Sequence, residues 1–174
     1  MPGSLQAWYS LRDVEALGDR GTVLRGDVEL AELSRLSPLV LADEGRRVAM
    51  RLSFSRTPEG RVVMGLSFQV TVSLVCQRCL EAVEYPLDET VEWLVTESDS
   101  AAASVSDELE PLVLGNDRLR PVDLLEDELI VSLPLVPRHA SIDECGTLAQ
   151  NLKRVLMTQG SEPMSRALEV KLGE

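Results

Sequence analysis

The chain has 174 residues, 44% of them hydrophobic and only 3% aromatic. That is enough apolar material for a domain built on Leu and Val, and it excludes wholesale disorder. No run reaches the ~20 apolar residues of a membrane span, and the opening MPGSLQAWYSLRDVEALGDR has neither a basic start nor a long apolar stretch, so a cytoplasmic location is the default expectation. A net charge of −12, from 29 acidic and 17 basic residues, argues against broad phosphate-driven nucleic-acid binding, but leaves room for a local basic patch or a basic protein partner.

Residues 1–25 have weak periodicity and several glycines, and read as an irregular N-terminal arm with at most one short strand. From Asp27 to Leu36 the apolar spacing mixes strand and helix, and Asp27 is placed to cap a short helix that Pro38 would end. The clearest signal follows. Val48, Met50, Leu52 and Phe54 alternate with polar residues. Thr57-Pro58-Glu59-Gly60 reads as a turn, and alternation resumes through Val62, Met64, Leu66, Phe68, Val70, Val72 and Leu74. This predicts a long antiparallel hairpin, with a kink expected near Gly65. Residues 82–87 and 90–96 read as two further strands, and 97–110 as an exposed acidic loop. Val122, Leu125, Leu129 and Leu133 recur at helical spacing behind Pro121, and Pro134 stops that helix. The tail from 146 to 174 carries an amphipathic stretch around Leu152 to Met157, interrupted by Gly160 and Pro163, and reads as partly ordered. The expected fold class is α+β, a mainly antiparallel sheet followed by one helix, with a single domain over 26–145.

The residues that can carry chemistry are few. Cys76-Gln77-Arg78-Cys79 is a CxxC, whose spacing lets two thiolates reach one tetrahedral ion from a tight turn. Cys145 and His139, the lone histidine, are the remaining candidates for a four-ligand zinc site. Reduced thiols without metal and a redox CxxC are the other readings. The redox reading is disfavoured because the pair follows a strand rather than opening a helix. Glycine-rich phosphate loops and a nucleophile elbow are absent from the sequence, so no enzyme and no small-molecule substrate is indicated. The acidic run Glu126-Asp127-Glu128 suits a hard cation or acid–base work, but a solvated helix face is the simpler reading. Arg46, Arg47, Arg51, Arg56 and Arg61 cluster around the hairpin, and Arg47, Arg51, Arg61 and Arg78 are the candidate RNA contacts.

Two blocks resemble the YceD family of large ribosomal RNA subunit accumulation proteins. Residues 70–87, VTVSLVCQRCLEAVEYPL, are similar to its C-x-R-C-L motif between strands, through Cys76, Arg78 and Cys79. Residues 121–139, PVDLLEDELIVSLPLVPRH, are similar to its acidic helix and proline-flanked exit, through Asp123, Leu124, Glu126, Glu128 and Pro134. The resemblance implies a cytoplasmic, non-enzymatic ribosome-biogenesis factor supporting synthesis, processing or stability of 23S ribosomal RNA. Its partner would be the RNA precursor or a basic large-subunit protein. A zinc-stabilised interaction module unrelated to the ribosome, and a CxxC thiol oxidoreductase, are the alternatives.

Overall fold

A computed structural model describes residues 4–42, 45–102, 109–146, 150–151 and 154–155. Most of the tail and the centre of the acidic loop, on both of which an expectation was placed, lie outside the described residues. The order is α1 (Leu11–Asp19), β1 (Val23–Glu29), β2 (Arg47–Arg56), β3 (Val62–Val75), β4 (Ala82–Thr96), α2 (Asp99–Ala102), β5 (Glu110–Val113) and α3 (Pro121–Ser132). The five strands form one sheet in sequence order. β1–β2 and β2–β3 are antiparallel, whereas β4 and β5 run parallel over a short register from Trp93↔Glu110 to Thr96↔Val113. Side-chain hydrogen bonds join Ser73 to Glu84 and Gln69 to Asp88, advancing in opposite directions along β3 and β4, as an antiparallel pair requires. The fold is α+β with a mainly antiparallel sheet.

The hairpin follows from its alternation. Every apolar residue predicted to face inward, from Val48 to Phe54 and from Val62 to Leu74, is buried. The turn closes through Gly60 N–H to Thr57 O (2.9 Å), with Gly60 at φ +84°, a conformation that favours glycine. No bulge interrupts the register at Gly65, which pairs squarely with Ser53. Its missing side chain serves close approach instead. A Cβ there would lie 2.9 Å from Ser53 Oγ, and that hydroxyl donates to Gly65 O at 3.1 Å.

Three expectations are corrected. The first 25 residues hold a true helix, because Ser10 and Asp13 form a reciprocal capping box at the start of α1. Asp27 caps no helix. It lies inside β1, and only short 3-10 turns follow, Leu30–Glu32 and Ser37–Leu39, the latter containing Pro38. The strands expected at 82–87 and 90–96 are one strand running through Pro86. β5 covers β4 only from Trp93 onward, so Pro86 can sit at an uncovered edge where its missing N–H breaks no ladder.

Helix α3 begins at Pro121 as predicted and buries Val122, Leu124, Leu125 and Leu129. Glu126 departs from the expected solvated face. It is 5% exposed and accepts from Arg35 N–H (2.6 Å), Leu36 N–H (3.2 Å) and Arg35 Nε (3.0 Å). Asp127 takes the other arm of the same guanidinium, and Asp123 pairs with Arg120, so these two carboxylates are also engaged. Contacts group the chain into two compact units, one of residues 4–74 and 84–135, the other of residues 75–83 and the described residues from 136 onward.

Candidate metal centre

The second unit is built around the cysteines. After β3 the chain folds back on itself: Cys76 N–H donates to Glu81 O and Leu80 N–H to Cys76 O, both at 2.9 Å. This knuckle carries Leu80 at φ +62°, left-handed backbone that a side chain normally resists, and leaves Leu80 75% exposed. A second loop meets it through Gln77 N–H to Pro137 O (2.8 Å). Within that loop Ser141 Oγ receives Glu144 N–H, and Cys145 N–H donates to Ile142 O, which sets Cys145 on the knuckle. Cys76 and Cys145 are fully buried, and Cys79, Val83 and Ile142 pack against them.

The four predicted ligands converge. The donor atoms of Cys76, Cys79, His139 and Cys145 all lie within 4.8 Å of one another. His139 turns Nδ1 inward, 3.5 Å from Cys79 Sγ and 3.7 Å from Cys145 Sγ. In a tetrahedral site with zinc–sulfur bonds near 2.3 Å and zinc–nitrogen bonds near 2.0–2.1 Å, neighbouring sulfur and nitrogen ligands stand ~3.6 Å apart. The donor set and its spacing therefore fit a tetrahedral cation of this kind. No disulfide links these three cysteines.

The electrostatics point the same way. Burial pushes the Cys76 thiol up, but backbone N–H groups of His139, Arg78 and Cys79 outweigh it and bring the thiol down to about 5. Cys145 is pushed up by burial and by its two thiol neighbours. A group of sulfurs of which one ionises readily and another resists is what a central cation would relieve. Arg78 Nη1 lies 3.7 Å from Cys145 Sγ, close enough to steady a thiolate.

The candidate RNA contacts have different immediate surroundings. Arg47 is held by Glu29 at 2.5 Å, and Arg78 stands beside the sulfurs. Arg51 lies on the exposed sheet face opposite Ser67. Arg61, just before β3, is ~20 Å along the strand from Ser67 at 3.3 Å per residue. Sequence reading passed over Arg25, which the β1–β2 register sets directly opposite Arg51. No local signal announces it, because strand pairing is what brings the two together.

An α+β chain with a Cys3His cluster whose donor atoms could hold a metal ion defines the class. The sequence profile described as "Large ribosomal RNA subunit accumulation protein YceD" matches residues 64–166, and the chain belongs to the YceD family. A curated relative bearing the same name, from Haemophilus influenzae, is 40% identical over 104 residues. That stretch is 57% of this chain and 57% of the relative, so the chain spans just over half the length of the protein it matches. No solved structure matches. Among the described residues no helix is long and apolar enough to cross a membrane.

Proposed function

We propose that this chain acts in the cytoplasm, by binding and without catalysing a reaction, to support the accumulation of large-subunit ribosomal RNA. The match over residues 64–166 to a family described by that role carries this reading. Zinc on Cys76, Cys79, His139 and Cys145 supplies a structural crosslink between the knuckle and the 137–145 loop, supported by ligand atoms lying within 4.8 Å. The metal ties the second unit together at its buried cysteines.

The client favoured is the precursor RNA, contacted through exposed arginines. The net charge of −12 favours a second reading, a basic large-subunit protein held before it meets RNA. Both are tested in one experiment. Depleting the protein should lower the large ribosomal RNA relative to the small one, and the tagged protein should sediment with large-subunit precursors. RNA recovered after protein digestion names RNA as client, and ribosomal protein recovered after nuclease names the second reading. An unchanged RNA ratio with the protein free of ribosomal material would overturn the role.

The lowered Cys76 thiol also suggests disulfide exchange, but an attacking thiolate needs access, and Cys76 is fully buried. Rapid alkylation of Cys76 in the zinc-loaded protein at mildly acidic pH would restore that reading.

A further inference from the structure

On the exposed face of the sheet, β1, β2 and β3 enclose an open depression of about 560 Å³. Arg25 and Arg51 face each other across the β1–β2 pair, and Ser67 follows in the same row on β3. Like charges placed directly opposite on a sheet repel, and a sheet normally answers them with carboxylates. Here it does not. Among the described residues neither guanidinium has a hydrogen bond or an ion pair. Two carboxylates also line the depression: Asp88 accepts from Gln69 Nε2 at 3.0 Å, and Asp27 makes no ion pair with either guanidinium.

Arg12, Arg20, Arg61, Arg118 and Arg138 also have no ion pair among the described residues, so the direct facing of Arg25 and Arg51 is what sets this pair apart. Arg35, Arg46, Arg47, Arg56 and Arg120 each have a carboxylate within ion-pair distance. In a chain with 29 acidic residues, two facing guanidiniums with no such partner leave a site for an anion. Ala49 and Ser67, which line the depression beside Arg51, are short side chains.

We propose that Arg25 and Arg51 form a two-guanidinium seat for a backbone phosphate of single-stranded RNA, with Ser67 Oγ as an added donor. Guanidinium forks match phosphate oxygens in geometry as well as charge, and the anion removes the repulsion between the two arginines. The seat positions RNA by its backbone and reads no base. It rests on the RNA reading above and says where the RNA lies.

The test uses the full chain, labelled oligouridylate and a large-subunit precursor transcript, with affinity measured across a salt series. The wild type should bind both; Arg25→Gln or Arg51→Gln should each make the salt dependence shallower, and the two together by about 0.7, one phosphate contact on a single strand. Arg51→Lys should keep the slope and weaken binding several-fold through loss of the fork. Arg20→Gln, at the end of α1, controls for net charge and should leave the slope unchanged. Both Gln variants should melt at or above the wild-type temperature, so lost binding is not lost folding. An unchanged slope in both Gln variants, or an equal drop in Arg20→Gln, overturns the seat and leaves the RNA reading standing. A wild type that binds neither RNA yet recovers large-subunit proteins from cells overturns both.

Discussion

Glu126 shows how far one side chain can depart from its sequence setting. Local sequence places it in an acidic run near the start of a helix, yet it accepts three N–H groups from a segment about ninety residues earlier. Burial pushes its carboxyl up, but the Arg35 and Leu36 amides and the Arg35 guanidinium prevail and hold it below the usual range. A lowered folded value means stability that is present above the ordinary glutamate range and lost as pH falls through the folded value. Glu126→Gln should therefore cost roughly 1–3 kcal/mol near neutral pH by leaving buried donors poorly matched. Urea unfolding at neutral and acidic pH should show the variant losing less on acidification than the wild type. Leu80 is the opposite case, a side chain that gains little from its surroundings. Leu80→Gly should stay within about 1 kcal/mol of the wild type, whereas Leu80→Val should cost ~1–2 kcal/mol, since a branched residue resists φ +62°. Equal melting temperatures for the two would show that the knuckle carries no such strain.

At the scale of elements, the hairpin was legible because one face of each strand is buried and the alternation records it. A kink is expected near Gly65, and the β2–β3 register runs through that residue unbroken. A bulge would have broken the register, whereas the pairing is continuous and the glycine admits Ser53. Gly65→Val should destabilise by about 1–3 kcal/mol through overpacking and loss of the Ser53 hydrogen bond. Gly65→Ala should cost less, because the Ser53 hydroxyl can rotate away. Calorimetry separates these outcomes, and equal costs would mean the close approach has little energetic consequence. Helix α1 went unread because its signal lies in the cap rather than in a long apolar stripe. Ser10 and Asp13 stand three apart, the spacing of a capping pair.

For the whole molecule, the two units draw on different sources of stability. The sheet and α3 bury a continuous set of Leu, Val, Met and Phe, while the second unit has two fully buried cysteines at its centre. On the zinc reading proposed above, the metal is the crosslink of this second unit. A strong chelator should raise amide exchange across 76–81 and 137–146, while the amides of 48–54 and 64–72 keep their protection. Cys145→Ser should have the same effect without chelator and lower the zinc content. Unchanged exchange in the second unit after complete zinc removal would show that the cysteines hold it without a metal.

By itself the sequence determined the hairpin and its inward residues, α3 with its proline start, the α+β class, the four sulfur and imidazole candidates and the family. Each is written in local spacing: a period of two, a period near 3.6, or two cysteines on one turn. Tertiary structure alone decided that His139 and Cys145 meet the CxxC, that Glu126 closes on Arg35, and that Arg25 faces Arg51. These pairs are far apart along the chain, and their meeting depends on strand register and chain return, which no window of neighbouring residues encodes.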